Sequence, residues 1–275
     1  MAPRRLSTNA PLVASDGNQP AAPRSRASYH ESESMALNSD FPWDDFDSSW
    51  YYDHNYKVLR DDDRQIIEVV RDFFGTLDPS KRRSGIDVGS GPNIYPALTM
   101  LPLCDEIKLY EYSTSNVSWL EREIQSYSSS WDAFWELLTE EASYNSVDSP
   151  RRTLATRASV AQGSIFDLPE SLWDIGTMFF TAESISPALE EFQIALGCFI
   201  RSLRPGAPFS AAFMENSLGY SVDSCRFPAV AVTVNDVENG LTGDTKDLEI
   251  HRIGLTENPL RAGYDGMIVA TGRVA

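Results

Sequence analysis

A chain of 275 residues can bury one sizeable core, and its 42% hydrophobic and 23% charged residues are those of an ordinary globular domain. Acids outnumber bases, 40 to 23, and the formal net charge of -17 argues against nucleic acid, because phosphate binding needs a clustered cationic face. The same charge either favours a small cation such as a protonated amine or serves solubility alone.

Cys104, Cys198 and Cys225 are odd in number and lack paired spacing, which fits reduced thiols in a cytoplasmic protein. His30, His54 and His251 lie too far apart in sequence to argue a metal site. No apolar run approaches the ~20 residues of a membrane span, and no secretory h-region follows the N-terminal arginines. A cytoplasmic monomer that binds neither nucleic acid nor membrane is expected.

Residues 1–40 are rich in Ser, Pro, Ala, Asn and Arg and hold few large apolar side chains, so they are expected to be a disordered tail. Translation starts either at Met1 or at Met35. The domain is expected over 41–275, with a helical cap at about 41–80. In that cap Leu59, Ile66, Ile67, Val70, Phe73 and Phe74 recur at helical spacing, and Gly75 closes the run.

A strand follows at 85–88, then a glycine turn, a short helix at 97–101 and a second strand at 106–112. Ser113 or Thr114 caps the next helix. Residues 131–144 read as a helix with Trp131, Phe134, Trp135 and Leu138 packed on one face. Strands are expected within 158–169 and 173–186, and again at 208–214, 247–255 and 263–275. Between the fourth and fifth lies a helix with Ser186 as N-cap and Pro187 at its first position, stopped by Pro205-Gly206. Alternating strands and helices imply a doubly wound α/β fold, mostly parallel, and the last two strands add an antiparallel C-terminal edge.

The first strand runs into "GIDVGSGPNIYP" (85–96), with an acid two places before the first glycine. In doubly wound sheets a ligand binds beyond the carboxyl ends of the strands, where this turn lies. Gly89 and Gly91 let backbone approach a ligand closely. A dinucleotide turn would carry a third glycine where Ile94 stands, and no Gly-Lys-Ser/Thr follows to make a phosphate loop. Glu111, at the end of the second strand, is placed to accept hydrogen bonds from ribose hydroxyls. A ribose acid without a pyrophosphate signature points to a nucleoside cofactor such as S-adenosylmethionine; a purely structural turn is the alternative.

"IDVGSGPNIYP", "YEYSTSN" and the upstream "YYDHNYKVLRDDDR" resemble the nicotinamide, phenylethanolamine and indolethylamine/thioether N-methyltransferase family. The resemblance runs from about Tyr51 to the C-terminus. It implies a Rossmann-like class I methyltransferase with a seven-stranded sheet and an N-terminal helical lid, S-adenosylmethionine as cofactor and S-adenosylhomocysteine as product. By the same resemblance Tyr51 and Tyr56 close over the methionine end, Gly89, Ser90 and Gly91 lie beneath it, and Tyr95 meets its carboxylate. Glu111 binds the ribose, with Tyr112 and Asn116 near the adenosine. Where the family carries an acid beside the adenine amino group, this chain has Ser164 followed by Ile165; Asp167 takes that place if the turn is offset.

Methyl transfer to a small-molecule amine needs in-line positioning and a neutral nitrogen. Glu183 and Glu215 follow the fourth and fifth strands on the rim that carries the glycine turn. In the family, acids near these places contact the substrate nitrogen or neighbouring polar groups, and Tyr220 is a further pocket residue. Alternatively Glu183 caps the following helix and Glu215 is a solvated loop acid. An O- or S-acceptor, or a homologue that binds the cofactor without turnover, remains open.

Overall fold

Short runs too apolar to leave in water build the centre of a seven-stranded sheet. The computed structural model describes residues 36–275. Residues 1–35, most of the segment expected to be disordered, lie outside the described residues. At its end, Asn38–Asp40 form a 3-10 turn, and the Asn38 amide donates to Glu191 Oε2 at 2.8 Å.

The strands are β1 (Arg83–Val88), β2 (Cys104–Glu111), β3 (Ala158–Gln162), β4 (Ile175–Phe179), β5 (Pro208–Glu215), β6 (Tyr220–Val222), β7 (Cys225–Phe227), β8 (Thr245–Gly254) and β9 (Gly266–Val274). Every residue of β4 and β5 is buried, as a strand covered on both faces requires. The order is β3-β2-β1-β4-β5-β9-β8. The first five strands run parallel, and β9 lies antiparallel to both β5 and β8. The order reverses between β1 and β4, which opens a crevice beyond their carboxyl ends.

The helices are α1 (Ser48–Asn55), α2 (Asp61–Gly75), α3 (Tyr95–Met100), α4 (Thr114–Glu123), α5 (Asp132–Leu138), α6 (Pro150–Arg157), α7 (Leu189–Ser202) and α8 (Val234–Leu241). Ile66, Val70 and Phe74 of α2 join Leu98, Phe134 and Leu138 in the core on one face of the sheet. Phe192, Leu196 and Phe199 of α7 join Val237 and Leu241 of α8 on the other. No helix among the described residues is long and apolar enough to cross a membrane.

Several local expectations shift. The cap divides into two helices: Asp61, Asp62 and Asp63 occupy the first turn of α2, where acids complement the helix dipole, and Tyr51 belongs to the separate α1. The helix expected over 131–144 ends at Leu138 and continues as a 3-10 turn at Ala142–Ser146, although Trp131, Phe134 and Leu138 are fully buried as the stripe required. Ser186 Oγ accepts the Ala188 amide at 3.1 Å, and α7 begins only at Leu189, so Pro187 stands before the helix. The α6 helix, the β6–β7 hairpin and α8 were not expected. Only Leu154 of α6 is buried, too little for an apolar period; α8 carries a Thr233–Asp236 capping box that could have marked it.

Candidate functional site

The β1 turn places two left-handed glycines side by side, Gly89 at φ 65 and Gly91 at φ 54. They do different work. A Cβ on Gly89 would stand 2.2 Å from Thr181 Cγ2, whereas one on Gly91 would meet nothing nearer than the Gly89 carbonyl at 4.0 Å. Gly89 therefore admits Thr181, just after β4, whose hydroxyl lies 3.2 Å from both the Val88 and Gly89 carbonyls. Gly91 leaves a bare backbone floor.

Above that floor is a cleft of about 820 Å³, counting its open mouth. Glu111 reaches into it from the end of β2. Its Oε2 accepts the Gly91 amide at 2.8 Å, and its Oε1 accepts the Ser113 amide at 2.9 Å and Asn116 Nδ2 at 3.4 Å. Burial raises the Glu111 carboxyl above its ordinary value, opposed by these donors. A carboxylate offers about four lone-pair sites, so the group can still accept from a ligand.

The cleft is lined by Tyr51, Tyr56, Gly89, Ser90, Gly91 and Glu111, and also by Tyr112, Asn116, Ser164, Ile165 and Tyr220, all singled out from the sequence. Ser164 Oγ also accepts the Phe166 amide at 3.2 Å, while Asp167, the offset alternative, is exposed and does not line the cleft. Tyr95 does not line it either. The first residue of α3, it is fully buried beneath the floor, its ring stacked on Phe134 at 5.6 Å and meeting Tyr56 edge-on at 5.9 Å. Its hydroxyl has no hydrogen-bond partner, and burial followed by the nearby Asp63 charge raises its pKa well above the ordinary phenol value.

The lid is a segment running from Asn38 to Tyr56. Asp44 accepts the Thr114 amide and hydroxyl at 2.9 and 2.8 Å, and Ser48 donates to Asn116 Oδ1 at 2.7 Å. On the other side Trp43 stacks on Phe227 at 5.2 Å and Phe46 packs against it at 5.1 Å. Trp43 and Phe46 line the cleft too. Sequence reasoning missed them because their partner hairpin, β6–β7, is only three residues a strand.

A second cleft, about 1230 Å³ with its open mouth, shares Tyr51, Phe180, Ser184 and Tyr220 with the first. Glu183 and Glu215 differ sharply here. Glu215 lines neither cleft; its Oε2 accepts Arg252 Nε at 2.6 Å on the antiparallel edge. Glu183, adjacent to Ser184, also lines neither cleft and is wholly buried: Oε1 accepts the Met214 amide at 2.9 Å, and Oε2 has no partner. Burial pushes its carboxyl up to about 7, against the hydrogen bonds it accepts. It does not cap α7. Beneath the turn, Asp87 behaves similarly: Oδ1 accepts Thr177 Oγ1 at 2.7 Å, Oδ2 is unpartnered, and burial pushes the carboxyl up to about 7.

A bare turn, an acid fixed against it and an orphaned buried carboxylate oxygen beneath fit a nucleoside with a charged tail. A family model agrees, matching residues 34–271. The chain belongs to the NNMT/PNMT/TEMT family.

The NNMT/PNMT/TEMT family is one of S-adenosylmethionine-dependent methyltransferases, with S-adenosylmethionine as cofactor. No curated protein matched the chain in sequence. Among solved structures, a SAM-dependent methyltransferase from Methanosarcina mazei has a TM-score of 0.50 at 12% identity over 74% of this chain and 95% of that one. The N-methyltransferase NodS of Bradyrhizobium japonicum, in complex with S-adenosylhomocysteine, gives 0.47 at 12% over 82% and 98%. The 1,6-didemethyltoxoflavin-N1-methyltransferase of Burkholderia thailandensis, with 1,6-didemethyltoxoflavin and S-adenosylhomocysteine bound, gives 0.46 at 13% over 78% and 80%. The Methanosarcina likeness shows the shared Rossmann-like methyltransferase fold.

Proposed function

We propose that this chain transfers the methyl group of S-adenosylmethionine to the nitrogen of a small-molecule amine. The observation that carries the reading is the bare Gly91 floor with Glu111 fixed beside it in one cleft, next to a second cleft that shares its wall. Gly89, Ser90 and Gly91 hold the methionine end with Tyr51 and Tyr56 over it. Glu111 holds the ribose, and Tyr112, Asn116, Ser164 and Ile165 surround the adenosine. Tyr95 supports the floor from below instead of touching the ligand. Bound there, the cofactor supplies a sulfonium methyl group that the acceptor takes on nitrogen, in line with the departing thioether.

The chain's own residues do the rest by position and proton handling. The lid excludes water once closed over both clefts. An amine attacks only as the neutral base, and most aliphatic amines are protonated at pH 7. Glu183 lines neither cleft but adjoins Ser184, which lines both, and accepts that proton through one water: its Oε2 is unpartnered and burial pushes its carboxyl up to about 7. Glu215 holds Arg252 and orders the β5–β9–β8 edge.

A labelled-methyl screen over amines, phenols and thiols tests this reading. Transfer to amines is expected, with Glu183→Gln depressing turnover far more than S-adenosylhomocysteine affinity. Transfer confined to oxygen or sulfur acceptors contradicts the nitrogen assignment, and an unimpaired Glu183→Gln removes that acid from the chemistry.

A further inference from the structure

The second cleft has a lining at odds with the molecule's charge. Forty acids and 23 bases make the chain strongly acidic, yet the ionisable side chains that line this cleft by charge are His54, Arg226 and Arg261, with no aspartate or glutamate among them. An acidic protein gains little solubility from turning bases into a concave wall. Such a wall attracts an anion against the overall field.

Arg261 is the built part of that wall. Its guanidinium lies 5.9 Å from the Tyr220 ring centre and 5.5 Å from that of Tyr264. Nη1 donates to the Gly219 carbonyl at 2.8 Å, and Nη2 to Ser217 Oγ at 2.8 Å and Met214 Sδ at 3.1 Å. These contacts fix the fork in place, and a guanidinium with about five N–H donors keeps some of them for a ligand. No carboxylate forms an ion pair with Arg261 among the described residues, although burial, first among the causes, lowers its pKa. A partly buried cation without a counter-ion is costly, and a bound carboxylate would relieve that cost through charge-assisted hydrogen bonds from the N–H groups left over.

Glu183 does not itself line the cleft, but its chain neighbour Ser184 and its hydrogen-bond partner Met214 both do, and it is not paired with the arginine. One small molecule seated against Arg261, Ser184 and Met214 can therefore meet the arginine directly and Glu183 through a water. We infer that the methyl acceptor is an amine that also carries a carboxylate, held by Arg261 in the cleft beside Tyr51, Phe180 and Tyr220. This rests on the methyltransferase reading for what becomes of the amine; the anion site stands on Arg261 and its surroundings. Arg261 is a specificity-determining residue: it selects the acceptor's anionic end, while Glu183 meets its nitrogen.

The test is calorimetry on the full chain with matched probes: tryptophan against tryptamine, and 4-(aminomethyl)benzoate against 4-methylbenzylamine. Each is titrated with and without saturating S-adenosylhomocysteine, into wild type, Arg261→Met and Arg261→Lys. At least one carboxylate should bind roughly tenfold or more tightly than its partner, as a charge-assisted hydrogen bond implies. Arg261→Met should abolish that preference, Arg261→Lys should keep part of it, and both should bind S-adenosylhomocysteine as wild type does. A decarboxylated partner that binds as well or better in both pairs overturns the inference, as does a preference that survives in Arg261→Met. If S-adenosylhomocysteine fails to bind while the carboxylate preference holds, the anion site is upheld and the methyltransferase reading falls.

Discussion

Both oxygens of Glu111 are engaged by Gly91, Ser113 and Asn116 before any ligand arrives, so this acid shapes its loop as well as receiving a ribose. Glu111→Ala should weaken S-adenosylhomocysteine affinity by about 1–3 kcal/mol through lost charge-assisted hydrogen bonds and stranded amides. Titration calorimetry measures this, and unchanged affinity would take Glu111 out of the site. The two turn glycines should separate cleanly. Both alanine variants strain a positive φ, but Gly89→Ala also drives a methyl into Thr181, while Gly91→Ala meets no protein atom nearer than 4.0 Å. Thermal melts should show the larger stability loss for Gly89→Ala. Ligand titration of Gly91→Ala should show an affinity loss out of proportion to its melting temperature. Equal melts for the two would mean Thr181 yields easily. The glycines were legible in "GSGP"; their division of labour was not, because Thr181 lies 92 residues beyond Gly89 and only the β1–β4 pairing brings it there.

At the scale of elements, what was legible followed apolar period. The α2 stripe and strands β4 and β5 declare themselves because both a helix face and a fully covered strand need continuous apolar residues. The β6–β7 hairpin did not, since three-residue strands carry no countable period. Yet that hairpin holds Phe227, which is 1% exposed and anchors Trp43 and Phe46 of the lid. Phe227→Ala should loosen the lid more than the sheet. Hydrogen exchange should quicken across 43–56 and 220–227 while β4 and β5 stay protected, and S-adenosylhomocysteine should bind more weakly. Uniform quickening throughout would mean that the hairpin supports the whole core. Glu215 teaches the complementary lesson: a strand-end acid on the right rim was visible in sequence, but its partner Arg252 sits on β8, across a strand pairing that local pattern does not specify.

Across the whole molecule, the buried acids set the dependence of stability on pH. Burial pushes Asp63 up to about 8, with the Asp62 charge adding to it, and pushes Asp87 and Glu183 up to about 7. Each holds its proton in the folded chain at pH values where the unfolded chain has released it. Their contribution is therefore complete below the ordinary carboxyl range, falls as pH rises through it, and is lost by about pH 7–8. Denaturant midpoints should accordingly decline between pH 5 and 8, and Asp63→Asn should flatten part of that decline. A slope identical to wild type would show that Asp63 ionises freely in the fold. The overall architecture was open to sequence reasoning because alternating elements leave few topologies. The second cleft was not, since Arg261 belongs to a connection with no period and is brought to Tyr220 only by the closing of the sheet edge.

A crystal structure grown with S-adenosylhomocysteine tests the central claim most directly. The account predicts density in the first cleft, with the ribose hydroxyls on Glu111, the amino-acid end over Gly91 and the purine between Tyr112 and Ile165. Density for that molecule anywhere else, or Glu111 turned away from the sugar, would contradict it.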